Sequence, residues 1–393
     1  MSFHKKALYT DMTQNYLTPV EPMSHTRVKV RFRTGRGNVD RVTICYNGQK
    51  AIMRKDSFDD MFDYYAYHIR LTDEPIYYHF EVEAEDESCY YNWLGISKSE
   101  EARYDFILVP GFATPDWAKG AVVYQIYVDR FYNGDSSNDV VNDEYYYQGR
   151  PVKHAGHWND PVSRTDEGTF YGGDLQGIID KMDYLEGLGV EVLYLNPIFV
   201  SPSSHKYDIQ DYRHIDPHFG KIVNREECGL KDGYEQYRGI TTDRENLEAS
   251  DRLFARLVEE AHKRGMKVIL DGVFYCCGSW HRFMDKEGIY ANGDTCSIKG
   301  AYQDSNSPYR EYFQYKNPQD ANSYENWWGY EAYAKFNYEN SRKLYEYIVS
   351  VAVKGGSKPF CADGSRVDVV ASVGKNREWN HHFWQDFRKA VKA

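Results

Sequence analysis

Up to about residue 112, apolar and polar positions alternate in short runs. Examples are Arg27-Val28-Lys29-Val30-Arg31-Phe32, Arg41-Val42-Thr43-Ile44-Cys45-Tyr46 and Ile76-Tyr77-Tyr78-His79-Phe80-Glu81-Val82. A period of two sends successive side chains to opposite faces of a sheet, and turn signals such as Tyr46-Asn47-Gly48 divide the runs. This pattern predicts an N-terminal antiparallel β-sandwich over residues 1–112. Gly111 to Pro115 reads as a linker ahead of Trp117.

Beyond the linker the pattern changes. Val122 to Val128 is a near-continuous apolar run, as expected of a parallel strand buried on both faces. A helical segment from Leu175 to Leu188 ends at Gly189, a C-terminal cap. Strand Val190 to Leu195, helix Asn246 to Lys263 with Gly265 behind it, and strand Lys267 to Leu270 follow. A polar, aromatic insert occupies about 276–338; helix Asn340 to Val353, a strand bearing Arg366 and Asp368, and helix Trp379 to Val391 complete the chain. Such alternation predicts a parallel α/β sheet with right-handed crossovers over 113–393, with four strand–helix units.

The formal charge of −11 and the lack of a basic patch argue against nucleic acid or an anionic membrane as partner. No apolar run approaches a membrane span and no signal-peptide core follows Lys6, so a soluble cytoplasmic protein is expected. Seven cysteines, an odd number without CxxC spacing, read as reduced thiols: Cys45, Cys89, Cys228, Cys276, Cys277, Cys296 and Cys361. The chain carries 36 Tyr and 8 Trp. Such rings stack on sugar faces, and they equally fill β-cores.

Four segments carry candidate chemistry. Arg366 and Asp368 lie two apart on one strand and share a face, so a guanidinium would hold a buried carboxylate ionised as a nucleophile. Asn133, Asp135, Asn138 and Asp139 crowd one loop, with Gly172-Gly173-Asp174 a possible completion. Calcium favours such flexible oxygen donors, but a solvated Asx-turn loop has the same composition. His205 and Tyr207 follow the second strand at its carboxyl end, suited to bonding a hydroxyl and stacking a sugar or to ordinary loop packing. Asp271 ends the third strand and could brace Arg366 or cap a turn. Trp327-Trp328 reads either as a sugar platform or as a small core of the insert.

Taken in order, six segments resemble the α-amylase family of glycoside hydrolases, in particular its neopullulanase, cyclomaltodextrinase and maltogenic-amylase branch. They are Val123 to Phe131, Phe170 to Leu175, Leu195 to Phe199, His205 to Asp208, Asp271 to Phe274 and Asp363 to Asp368. The resemblance implies a starch-binding-like N-terminal sandwich and a (β/α)8 barrel of the TIM type, with a small domain after its third strand. It implies Asp368 as nucleophile, Arg366 as its partner, Tyr207 and His205 at the cleavage subsite, and Asp271 bracing the arginine. It implies a structural calcium ion (Ca2+) held by Asn133, Asp135, Asn138, Asp139, the Gly172 carbonyl and Asp174. Substrates would be α-glucan oligosaccharides, cyclodextrin or pullulan, and the whole protein would be a homodimer.

Three departures accompany the resemblance. Tyr275 and Cys276 stand where the family has Asn-His, and Ser365 stands where a large aromatic is usual. Cysteine cannot make imidazole's hydrogen bonds to a sugar. The family's acid/base Glu and third carboxylate would fall beyond Ala393, so this sequence is expected to be the front part of a retaining hydrolase, inactive alone. A non-catalytic α-glucan-binding or protein-interaction relative is the alternative.

Overall fold

The computed structural model describes residues 3–85, 87–162, 167–225, 233–291 and 298–392. The chain divides into two compact units, Met1–Lys119 and Gly120–Ala393.

In the first unit, one four-stranded antiparallel sheet includes Arg27–Gly35 paired along its length with Phe62–Arg70. A second sheet of six strands is built around Arg41–Tyr46, Ile76–Ala84 and Glu87–Asn92. Alternation predicts which side chains turn inward: Val28, Val30 and Phe32 from one sheet join Val42, Ile44 and Phe80 from the other in a single core. The Phe32 and Phe80 rings meet at 4.6 Å. This is the expected β-sandwich.

The second unit is organised by a parallel sheet whose spatial order follows the chain: Val123–Ile126, Val192–Leu195, Lys267–Gly272 and Gly364–Val367. Register sets the side-chain face. Tyr194 pairs with Ile269, Ile269 with Gly364, and Asp271 with Arg366, so Tyr194, Asp271 and Arg366 leave one face of the sheet.

The inner two strands are buried as expected, but the outer two are not. Val123 is 53% exposed, and Ser365 and Arg366 are also exposed. Among the described residues each outer strand has a single neighbour in an open four-stranded sheet, and no closed barrel forms, so burial on both faces fails there. Asp368, expected to be buried, is 16% exposed at its side chain and lies just past the fourth strand.

Helices pack against this sheet largely where periodicity placed them. Arg244–Lys263 is capped by Asp243, whose carboxylate accepts from the Asn246 amide, and Arg342–Gly356 is capped by Ser341. The segment expected as one helix from Leu175 to Leu188 is two, Leu175–Asp180 and Met182–Gly187, broken at Lys181. Ile178, Met182 and Leu185 stay buried across the break, so the apolar rhythm continues although the backbone does not. Gly189 and Gly265 adopt φ of +75° at the two helix exits, the left-handed geometry that glycine adopts without penalty.

The insert contains a three-stranded antiparallel sheet of Cys276–Gly278, Tyr330–Lys335 and Asn326–Trp327. Cys45, Cys89, Cys276, Cys277 and Cys361 are free thiols, while Cys228 and Cys296 lie outside the described residues. Among the described residues, no helix is long and apolar enough to cross a membrane.

Candidate active site

Three side chains from three segments converge on Asp271, whose side chain is fully buried. The Tyr194 and Tyr207 hydroxyls donate to its Oδ2 at 2.6 and 2.9 Å. Arg366 Nη1 donates to both Asp271 oxygens, at 3.0 and 3.2 Å, and lies 2.7 Å from Asp368 Oδ1. One guanidinium therefore bridges two carboxylates, and the three donors give buried Asp271 the partners its charge requires. Half-burial, then the Asp271 charge, push the Asp368 carboxyl above its ordinary range; Arg366 opposes both. The Asp368 amide donates to Gly272 O at 3.0 Å, fixing where the side chain departs.

The loop after the second strand presents Tyr207 and His205. The Tyr207 N–H donates to His205 Nδ1 at 3.0 Å, which makes Nδ1 an acceptor and leaves the ring proton on Nε2. Nε2 lies 3.4 Å from the Tyr333 hydroxyl and 3.5 Å from Glu167 Oε2.

Beneath the loop runs a chain of buried charges. Lys206 Nζ donates to Asp216 Oδ2 at 2.7 Å, both side chains at most 1% exposed. Asp216 continues to His218 Nδ1 at 3.2 Å, and His218 Nε2 reaches Glu144 Oε1 at 2.9 Å. Burial works against charge on His218, but Glu144 and Asp216 outweigh it and raise its pKa. Lys206 itself sits at φ +63°. The buried pair holds in place a backbone conformation that a lysine rarely adopts, and that conformation turns Tyr207 toward Asp271.

The departures fall in different places. Tyr275 is 2% exposed and packs at 5.9 Å from Trp327; Cys276 is fully buried and begins the insert's sheet. Alternation along the fourth strand puts exposed Ser365 on the face opposite Arg366.

The Asn133–Asp139 loop and Gly172 do come together. Gly172 has φ +79°, and a Cβ there would collide with Asn133 and Asp139. Asn133 Nδ2 donates to both Asp139 oxygens, at 2.8 and 3.1 Å. Asn138 is fully buried, and its Oδ1 has no partner among the described residues. A buried, unpartnered amide oxygen on the same loop as Asp139 is the kind of neutral donor a hard cation takes, and turning the Asn133 amide over would add its oxygen. Asp174 and Asp135 are otherwise engaged. The two Asp174 oxygens accept N–H groups from Gly134, Asp135, Asn138 and Gly177. Asp135 accepts from Ser137 and pairs with Lys221. Among the described residues, no cluster of three or more His, Cys, Asp or Glu could hold a metal, so neutral oxygens would supply most ligands.

Sequence reading assigned no role to Tyr194, Glu167, Tyr333 or the Lys206–Glu144 chain. A hydroxyl on an otherwise apolar strand, in step with Asp271, was the signal for Tyr194. Glu167 and Tyr333 carry none, because only folding brings them to His205.

Residues 125–228 and 245–393 match the family described as Alpha amylase, catalytic domain, and residues 1–109 match Alpha amylase, N-terminal ig-like domain. The chain is 35% identical over 315 residues to an amylopullulanase of Thermoanaerobacter thermohydrosulfuricus, covering 71% of this chain and 18% of that protein. It is 32% identical to neopullulanase 2 of Thermoactinomyces vulgaris, covering 95% of this chain and 56% of that one. The type III pullulan hydrolase from Thermococcus kodakarensis superimposes with a TM-score of 0.59 at 26% identity, over 98% of this chain and 59% of that one. The chain thus spans less than two thirds of the length of each.

Proposed function

Since the chain belongs to the α-amylase family of glycoside hydrolases, we propose that it carries the nucleophile half of a retaining site for α-1,4-linked glucans, with Asp368 as nucleophile. The substrates are maltodextrin, cyclodextrin or pullulan. One observation carries this reading: Arg366 bridges Asp271 and Asp368, with Tyr207 tied to the same Asp271. The Asp368 carboxylate attacks the anomeric carbon, the glycosidic C–O bond breaks, and the leaving oxygen takes a proton from an acid. Water then cleaves the glycosyl ester. Tyr207 stacks beneath the sugar, His205 bonds a hydroxyl, and Asp271 braces Arg366.

A retaining mechanism places the acid about 5–5.5 Å from the nucleophile. The carboxylate beside Asp368 is Asp271, whose oxygens are taken by Arg366, Tyr194 and Tyr207. Asp271 is therefore a brace, and the 393-residue chain binds α-glucan without turning it over. α-Maltosyl fluoride tests this, because fluoride leaves with little help from an acid. Release of fluoride, with a maltosyl adduct on Asp368 in mass spectrometry and none in Asp368→Asn, is expected, alongside no hydrolysis of maltoheptaose. Fluoride release unchanged in Asp368→Asn would overturn the assignment.

Burial of Tyr275 and Cys276 at the Asn-His positions supports a second reading, a glucan-binding relative without chemistry. That reading predicts maltoheptaose binding with no fluoride release at all.

We also propose a calcium ion held by Asp139, Asn138, Asn133 and the Gly172 carbonyl, with a purely structural role. A melting temperature that falls on adding EDTA and recovers with calcium is expected; indifference to both refutes the site.

A further inference from the structure

The tip of the insert exposes the rings of Trp328 and Tyr330. Trp327 and Tyr330 pair across a two-residue turn made of Trp328 (φ +51°) and Gly329 (φ +87°). Two consecutive left-handed residues define the turn that favours Asn-Gly, and a bulky ring in the first position is an outlier. Trp328 is nonetheless there, and it is 84% exposed. It forms no core. The Trp327 and Trp328 rings lie 5.3 Å apart at 16°, and Trp327 and Tyr330 lie 6.1 Å apart at 28°. The three rings are thus stacked on one another, and Trp328 is the most exposed of them.

These rings border a cavity of about 660 Å³ which Gln148, Glu167, Glu287, Glu331 and Tyr333 also line. Its rim is polar: Lys286 pairs with Glu331 at 2.6 Å, and Ser279 Oγ donates to Glu287 at 3.2 Å. Apolar ring faces beside a ring of hydrogen-bonding groups suit a ligand with flat apolar faces and hydroxyl edges, which a glucose unit has. Tyr333 and Glu167 line this cavity and also approach His205, so the surface is continuous with the Tyr207 site. Burial pushes the Glu287 carboxyl up to about 7, so near neutrality it can both donate to and accept from hydroxyls.

We propose that Trp328, backed by the stacked rings of Trp327 and Tyr330, offers the ring face on which a glucose unit of a bound α-glucan stacks as the chain leads toward His205. The inference rests on the α-glucan reading of the site and extends it to longer chains. Titration calorimetry and tryptophan fluorescence with maltose, maltotriose and maltoheptaose test it.

In the natural chain, affinity is expected to rise at least tenfold from maltose to maltoheptaose, with fluorescence quenched by the longer sugar. In Trp328→Ala that rise should vanish, and in Tyr330→Ala it should shrink. Trp328 is too exposed for its loss to unfold the insert. A rise that survives intact in Trp328→Ala overturns the stacking face and leaves the α-glucan reading standing. A natural chain that binds none of the three sugars overturns both.

Discussion

At the scale of single residues, Tyr207 serves two purposes that can be separated. Its hydroxyl donates to Asp271 and its ring is the surface offered to sugar. Tyr207→Phe keeps the ring and removes a hydrogen bond to a charged group worth about 1.5–3 kcal/mol. Denaturant unfolding should show that loss, while maltoheptaose affinity stays within about threefold, since ring stacking is retained. Tyr207→Ala removes the ring as well, and affinity should fall about tenfold, or about 1.4 kcal/mol. Equal binding by the two variants would show that the ring meets no sugar.

Glu287 gives a pH test. Its carboxyl lies at about 7 in the folded protein against an ordinary 4.5, chiefly through burial. The folded state therefore holds this proton more tightly than the unfolded one. The resulting stabilisation is full below pH 4.5 and is lost as pH rises toward 7. Glu287→Gln should flatten this part of the stability profile and gain about 2 kcal/mol over the natural chain at pH 8. Melting curves from pH 4 to 8 measure it; parallel curves would sink the assignment.

Arg366 and Asp271 were legible as neighbours because each sits on a strand where alternation fixes the face, whereas Asp368 lies just past its strand and spacing alone did not fix its direction. The second tyrosine partner, Tyr194, lies in an apolar run, so its hydroxyl was a faint signal against the ordinary reading as core.

At the scale of elements, the loop holding His205 and Tyr207 depends on Lys206 and Asp216, which are fully buried and ion-paired. Breaking a buried pair by removing one member costs about 3–5 kcal/mol, because the other charge is stranded. Lys206→Met should lower stability by that amount, and the double variant Lys206→Met/Asp216→Asn should recover part of it. Maltoheptaose affinity should drop in the single variant, since the left-handed turn at Lys206 loses its anchor. Stability loss without any change in binding would separate the pair from the site. Sequence patterning located the helices, whose caps at Asp243 and Ser341 follow ordinary chemistry. It could not find the ion pair, because a lysine ten residues from an aspartate carries no local signature. Nor could it find the break at Lys181, across which the buried positions keep helical spacing.

At the scale of the molecule, the parallel sheet has, among the described residues, two outer strands with one neighbour each. The apolar run from Val122 announced a strand correctly, yet the same run could not say whether a second neighbour would cover it. Val122 and Val123 are 51% and 53% exposed, and Val370 beyond the fourth strand is 48% exposed. Unpaired strand edges offer backbone N–H and C=O groups to any other strand, and exposed valines beside them add an apolar reward. The 393-residue chain should therefore self-associate. Sedimentation velocity across a hundredfold range of concentration should show mass rising above 46.0 kDa. Lysine placed at Val123 (Val123→Lys) should weaken that association, because a charge on an edge strand must be desolvated to pair. A chain that sediments as a single monomeric species throughout, and unfolds in one cooperative step, would mean that the sheet edges are protected by something other than strand pairing.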